Sequence, residues 1–180
     1  MVEKTKPKKI LYIAMSLDGY IATRSGDVGW LVEDPDYHFY ESFLESIGAI
    51  VMGRKTYEMI LSFDIDWPYG DIPCFVLTGS DDFEDTGTIS FTNSPVDELV
   101  DEISSGAEKD IWLLGGGVVV REFLSSGLID EIIVGIMPVL LGDGIPLFRE
   151  GSGETELELL NVSSYPKGMV QLHYRVINGH

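Results

Sequence analysis

The chain is poor in cysteine, in positive charge and in long apolar runs. Cys74 is the only cysteine among 180 residues, which excludes an intrachain disulfide and a cysteine-built zinc cage and is the usage of a reducing compartment. Lys and Arg number 12 against 30 Asp and Glu, a formal charge of −18. A field of that sign opposes nucleic acid and anionic membrane surfaces, so neither is expected as a partner. Lys4, Lys6, Lys8 and Lys9 crowd into a basic leader, residues 1–9, expected to be flexible; without it the balance is 8 basic to 29 acidic residues. Any anionic ligand therefore has to be held by a small local cluster of cations. The longest apolar stretches, such as IIVGIMPVLLG from Ile132, fall short of the roughly 20 residues of a membrane span. The run after the leader is too short for a signal peptide, and a cytoplasmic protein is expected. His38, His173 and His180 are scattered without metal-ligand spacing, and neither G-x-S-x-G nor a Cys/His pairing is present, so no metal and no nucleophile are expected.

What is present reads as one globular domain over residues 10–177. An apolar fraction of 44% with 23% charged residues is that of a folded chain, and the length suits a single core. ILYIAMS from Ile10, AIVMG from Ala49, CFVLT from Cys74 and DIWLLG from Asp110 are near-continuous apolar runs of strand length, as in strands buried on both faces. Helices are expected between them, at 36–46, 55–61, 95–105 and 118–126. Ser94, Pro95 and Asp97 mark the start of the third, and Gly127 the end of the fourth. Only strand-like segments follow: LIDEIIVGIMPVLL, then ETELELLNVSSYP, whose period-2 alternation predicts a half-exposed strand, then GMVQLHYRVI after a hairpin turn at YPKGM. Alternating strands and helices finished by an antiparallel pair predict an α/β fold with a mixed, mostly parallel sheet.

In such sheets ligands bind beyond the carboxyl ends of the strands, where helix N-termini offer free N–H groups. Gly115, Gly116 and Gly117 run from a strand into a helix, and the triplet is either a phosphate-binding loop or a tight turn. In MGRKTYE, Gly53 ends a strand and is followed by Arg54, Lys55 and Thr56. Two cations on the first turn of a helix oppose its dipole unless an anion compensates, which makes this pair a candidate anion clamp. Thr78 and Ser80 of LTGS offer hydroxyls after a further strand, either to a ligand or to a turn. In MSLDGYIA, Asp18 and Gly19 form a turn signal, and the loop TRSGDVGW has the glycines and polarity of a mobile lid, closing on Trp30.

The combination and order of MSLDGYIA, the Trp after a glycine-containing loop, IVMGRKTYE, FVLTGS, IWLLGGGVVVREFL and IDEIIVGIMPVLLGDGIPLF resembles, across essentially the whole chain, the dihydrofolate reductase-like superfamily. SLDG and PVLLGDGIPLF point to the branch of the reductase domain of the bifunctional riboflavin-biosynthesis deaminase/reductase and its stand-alone bacterial relatives. MGRKTYE looks instead like the cofactor-binding turn of true dihydrofolate reductases. The resemblance implies a three-layer α/β fold that binds NADPH at its strand ends. It implies Arg54, Lys55 and Thr56 on the cofactor's phosphates, Thr78 and Ser80 near its adenosine half, and Gly115 to Gly117 under the pyrophosphate. It also implies a homodimer, for which the apolar strand around Ile132 to Leu141 would suit the contact.

The substrate half departs from the riboflavin-pathway pattern: Tyr20 stands where those reductases carry lysine, and GRKTYE replaces a segment that recognises a ribose phosphate. Asp18, Tyr20 and Trp30 are the substrate-side candidates. Asp36, with Asp34 and Glu41 as competitors, lies near the place where dihydrofolate reductases carry an acid that assists protonation. The expected activity is NADPH-dependent reduction of a small heterocycle, pterin-like or the aminopyrimidine of riboflavin biosynthesis, since hydride transfer asks of a protein chiefly placement and a proton. The alternative is a non-catalytic nucleotide-binding protein of the same fold.

Overall fold

The apolar runs form strands that bury both faces at once. The computed structural model describes residues 6–31, 36–80 and 83–177. Its elements are β1 (Lys9–Ser16), β2 (Tyr20–Ala22), α1 (Phe39–Glu45), β3 (Ile47–Gly53), α2 (Arg54–Leu61), β4 (Cys74–Leu77), β5 (Ile89–Thr92), α3 (Val96–Gly106), β6 (Asp110–Gly115), α4 (Gly117–Ser125), β7 (Glu131–Met137), β8 (Ile145–Pro146), β9 (Glu156–Ser164) and β10 (Val170–Ile177). One sheet has the strand order β5-β4-β3-β6-β1-β7-β10-β9. It is parallel except for β10, which runs antiparallel to β7 and β9. No helix among the described residues is long and apolar enough to cross a membrane.

Alternation along each strand divides the core between the two faces. Leu11, Val51 and Leu113 point to one side, where Leu99 and Val100 of α3 and Val120 and Phe123 of α4 cover them. Tyr12, Ile50, Met52 and Trp112 point to the other, under Phe43 of α1 and Ile60 of α2. Helices, sheet and helices make the expected three layers. On the α1 side the packing is aromatic: Tyr12 meets Phe43 edge-on at 4.6 Å and Phe43 meets Trp112 at 5.3 Å.

Local signals hold at some element ends and fail at others. α4 closes as its glycine predicts, Gly127 N–H bonding to Leu124 O at 3.0 Å and Leu128 N–H to Phe123 O at 2.9 Å, a Schellman closure. Ser94, expected to cap α3, does not: its hydroxyl accepts from Thr92 Oγ1 at 2.9 Å, its N–H bonds to the same Oγ1 at 3.0 Å, and Pro95 takes the cap position. The short strand β5 is the edge strand beside β4, with Ile89 also bridged to Thr86. The alternation in β9 predicts one buried face, yet Leu157, Leu159 and Val162 are 41%, 53% and 56% exposed, because β9 lies at the sheet edge beyond β10 and, among the described residues, joins neither side of the core. The stretch from Ile132, expected at a dimer contact, forms β7 between β1 and β10, with Ile132, Ile133 and Val134 buried inside the chain's own core. Of the basic leader, residues 1–5 lie outside the described residues, while Lys8 and Lys9 are fixed: Lys8 N–H donates to Asp110 Oδ1 at 2.9 Å and Lys9 N–H to Asp130 Oδ2 at 2.8 Å.

Two segments far apart in sequence are clasped beyond the carboxyl end of β1. The Asp18 carboxylate accepts from the N–H groups of Leu141 at 3.2 Å and Gly142 at 2.7 Å, and from the Ser16 hydroxyl at 2.6 Å. The Ser16 bond, with the two backbone bonds, holds the Asp18 carboxyl below its ordinary range. Leu17 N–H bonds to Val139 O at 2.9 Å, Leu147 N–H to Gly19 O at 3.0 Å, β2 pairs with β8, and Arg24 forms an ion pair with Asp143. Replacing Asp18 with alanine is expected to speed amide hydrogen exchange selectively at Leu141 and Gly142 while amides of β3 and β6 keep their protection; unchanged exchange at those two sites would contradict the clasp.

At the opposite end, Glu131 is 8% exposed and bonds Lys8 Nζ at 2.8 Å and His173 Nε2 at 2.8 Å. Burial pushes its carboxyl up, but the hydrogen bonds from Lys8 and His173 outweigh burial and hold it below the usual range. Because the folded-state value is depressed, this contribution is present above the unfolded carboxylate pKa of about 4.3 and is lost as pH falls through the lower folded value. Urea unfolding of Glu131→Gln is expected to show a loss of about 1.5–3 kcal/mol at neutral pH, shrinking as the wild type is acidified.

Candidate functional site

The expected cofactor residues all arrive at the carboxyl edge of three adjacent strands, β4, β3 and β6. Thr78 and Ser80 follow β4, Gly53 ends β3, and the glycine triplet ends β6. Gly53 is the N-cap of α2 and Gly116 that of α4, and neither helix has a side-chain cap. Both caps are glycines, so no cap side chain takes up the first-turn N–H groups at the sheet edge, the arrangement that favours an anion. Thr56 ties the two turns together, its Oγ1 accepting from Gly116 N–H at 3.1 Å. Arg54 and Lys55 stand on the first turn of α2, which contains no acid; Arg54 Nε lies 3.5 Å from Glu58 one turn on. The hydroxyl of Thr78 accepts from Ser80 N–H at 3.1 Å and so serves its own turn.

The three glycines have three different reasons. Gly115 has φ of +110° and a Cβ there would lie 3.0 Å from Ile13 Cδ1, a conformation and a space that suit glycine. A Cβ on Gly117 would collide with the carbonyl oxygen of Pro146 and lie 3.2 Å from that of Leu147, so this glycine is required by the chain itself. Only Gly116 is unobstructed, with Thr56 Oγ1 at 3.4 Å its nearest neighbour. The peptide joining Gly115 to Gly116 is cis. A phosphate group fits this cradle: one open glycine, two helix N-termini without side-chain caps, and two cations beside them.

The substrate-side candidates separate. The Asp18 carboxylate is taken by the clasp, and Tyr20 opens β2, its N–H bonded to Ser16 Oγ at 2.9 Å. The loop expected as a mobile lid is a bonded turn: Thr23 N–H reaches Asp27 O, Asp27 N–H reaches Thr23 Oγ1, each at 3.0 Å, and Arg24 pairs with Asp143. Trp30 ends this turn half-buried, its indole Nε1–H excluded from solvent and without an acceptor. Asp36 is exposed in a turn before α1 and Glu41 exposed on it; Asp34 lies outside the described residues. Cys74 is buried, which pushes its thiol up to about 12, and among the described residues no group of His, Cys, Asp and Glu is placed to hold a metal.

Sequence reasoning missed two features. Arg149 lies against the glycine turn, its Cδ 3.3 Å from where a Gly117 Cβ would stand; a cation 32 residues downstream carries no local signal. A polar chain also runs across the α1 side of the sheet: the Tyr12 and Tyr37 hydroxyls share a hydrogen bond, and Tyr37 donates to Gln171 Oε1 at 2.6 Å. Gln171 alternates with His173 and Arg175 in β10 and reads as a solvent-facing residue, yet it is 3% exposed. Two surface clefts lie elsewhere, one between α4 and the β9–β10 pair and one at the amino ends of β1 and β7.

Known proteins align with this architecture throughout. The RibD C-terminal domain family matches residues 7–171. YwjB of Bacillus subtilis (strain 168) is 37% identical over 169 residues, covering 93% of this chain and 97% of YwjB. A crystal structure from Shewanella sp. PV-4, described as that of a riboflavin biosynthesis protein, superposes with a TM-score of 0.83 at 33% identity, covering 95% of this chain and 99% of the other. Dihydrofolate reductase from Enterococcus faecalis, solved with NADP(H), superposes with a TM-score of 0.67 at 17% identity, covering 95% of this chain and 97% of the other, and shares the fold. The chain therefore belongs to the RibD C-terminal domain family and has a dihydrofolate reductase-like fold.

Proposed function

We propose that the protein is an NADPH-dependent oxidoreductase that reduces a small heterocycle, either the aminopyrimidine of riboflavin biosynthesis or a pterin-like ring. The observation that carries this reading is the convergence of two helix N-termini lacking side-chain caps with Arg54 and Lys55, in a chain where acids outnumber bases 30 to 12. Cations left on a helix's first turn, against its dipole, gain most from a bound anion. Arg54 and Lys55 would hold the phosphates, with Arg54 able to fork onto a 2′-phosphate; Thr56 keeps Gly116 facing them, and Arg149 adds charge from the other side of the turn. Thr78 and Ser80 border the adenosine half. NADPH, when bound, supplies the hydride. The chain's own part is to lay the ring beside the glycine turn, to keep water out beneath Trp30, and to let a proton arrive, for which Asp36 is the candidate carboxylate, acting through water.

Titration with NADPH and NADH, followed by tryptophan fluorescence, tests the reading. NADPH is expected to bind saturably and about tenfold or more weaker in Arg54→Ala, with NADH little changed, since a charge-assisted hydrogen bond is worth about 1.5–3 kcal/mol. A folded protein that binds neither dinucleotide would overturn it.

We also propose a homodimer, joined at β9 rather than at the buried β7. β9 is an edge strand of 9 residues, and its unpaired N–H and C=O groups together with exposed Leu157, Leu159 and Val162 are satisfied at once by an antiparallel copy across a two-fold axis. Light scattering on the eluting protein should give about twice the chain's 19.9 kDa, and Leu159→Lys should return it to one chain mass; a monomeric wild type at micromolar concentration refutes the contact.

A further inference from the structure

Register places small residues side by side beyond the aromatic core. On the α1 side of the sheet, Ala14 of β1 is beside Gly135 of β7, and Gly135 beside Gln171 of β10. Tyr12, Ile133 and His173 form the next row toward the amino ends. Ala14 is only half-buried although its strand lies inside an eight-stranded sheet, and a Cβ on Gly135 would meet nothing but Met169 Sδ, at 3.4 Å. The row is thus low in profile: it is half-open at Ala14 and closes toward Gly135, beneath Met169, and Gln171, both of them buried. β6, with the glycine turn at its end, flanks β1 on one side, and Gln171 stands two strands away on the other, about 10 Å from Ala14 at the usual strand spacing. A planar ring lying on this floor has the proposed cofactor turn at one end and Gln171 at the other.

Gln171 does not sit there passively. Tyr37 donates to its Oε1 at 2.6 Å, so the shared hydrogen bond with Tyr12 takes its proton from Tyr12. Tyr37 is itself braced edge-on against Tyr165, ring centroids 4.9 Å apart. An amide whose oxygen is held in this way cannot exchange its two ends without losing a buried hydrogen bond, and its N–H groups are directed to the opposite edge. All three groups are uncharged at physiological pH: burial raises both phenols, Tyr37 up to about 12. The charged groups nearest in the register, Glu131 and Arg175, already have partners: Glu131 is bonded to Lys8 and to His173, and Arg175 to Glu158.

We propose that Gln171, oriented by the Tyr12–Tyr37 pair, determines substrate specificity, its amide N–H groups donating to an acceptor at the edge of an uncharged planar ring laid over Ala14 with that edge toward Gly135 and Met169. The reductase reading makes this ring the hydride acceptor; ring binding itself is independent of that reading. Tyr12 and Tyr37 are positioning residues that act through Gln171. A donor edge accepts an uncharged carbonyl-bearing ring and offers nothing to a protonated one, which needs a carboxylate.

The test uses the whole protein and two probes, uracil as the uncharged ring and 2,4-diaminopyrimidine at a pH where it is protonated, each followed by ligand-observed NMR with and without NADPH. The wild type is expected to prefer uracil. Gln171→Ala should weaken uracil at least tenfold and Tyr37→Phe severalfold, while Gln171→Glu should turn the preference toward the protonated probe. NADPH affinity and circular dichroism serve as the folding controls, and Tyr37→Phe, which removes only a hydroxyl, keeps the test sound should changes at Gln171 unfold the chain. Equal uracil affinity in the wild type and Gln171→Ala, no saturable uracil binding by the folded wild type, or equal loss of both probes in Gln171→Glu would each overturn the assignment. Uracil recognition that depends on Gln171 in a protein that binds no NADPH would support it and sink the reductase reading alone.

Discussion

The site depends on the clasp in which the Asp18 carboxylate receives the backbone N–H groups of Leu141 and Gly142. A carboxylate accepting two backbone N–H bonds and a hydroxyl is one of the stronger polar contacts a surface turn can make. Here it joins segments that are 123 residues apart. Its position, just past the carboxyl end of β1, gives it its effect. With β2 paired to β8, the chain from Pro138 onward is drawn back across the edge of the sheet. The Pro146 carbonyl then packs onto Gly117, and Arg149 comes to the glycine turn. The floor of the site and the cation beside it are consequences of a tether made elsewhere.

Charge is distributed so that scarcity acts as selectivity. Most of the surface repels anions, while two helix N-termini and a few cations meet at one edge of the sheet. Such an edge attracts an anion against the field of the whole chain, and only locally. Beyond it the polar groups change character. Tyr12, Tyr37 and Gln171 are joined by hydrogen bonds and carry no charge, whereas the ionic cluster of Lys8, Glu131 and His173 sits at the amino ends of the strands. The sheet therefore separates a charged, structural end from the edge that carries the candidate site, and that edge has a cationic half and a neutral half.

Fold class and the glycine- and cation-bearing turns of the candidate site were legible in the sequence because their signals are local. An apolar run of strand length followed by Gly-Arg-Lys-Thr or by three glycines states both the strand and the turn that ends it. A parallel sheet then carries all such turns to one edge. The polar chain of Tyr12, Tyr37 and Gln171 was not legible because its residues come from three separate places. Tyr37 precedes α1, Tyr12 is inside β1, and Gln171 belongs to a strand whose polar alternation imitates a solvent face. The failed readings at Ser94, β9 and β7 share a cause: local pattern reports which residues prefer burial or capping, and the neighbouring elements settle what is present to receive them.

The sequence by itself determined the alternation of strand and helix, the division of side chains between two faces and the cation-bearing turn after β3. These follow from period, composition and turn chemistry, which act over a few residues. Tertiary structure alone decided that Asp18 would serve as a clasp, that Gly117 would make room for a carbonyl from β8, that β9 would remain an open edge, and that a glutamine in the last strand would be buried and bonded to Tyr37. Each of these depends on which strand lies beside which, and strand order is set by crossovers and long-range pairing that no local stretch of sequence records.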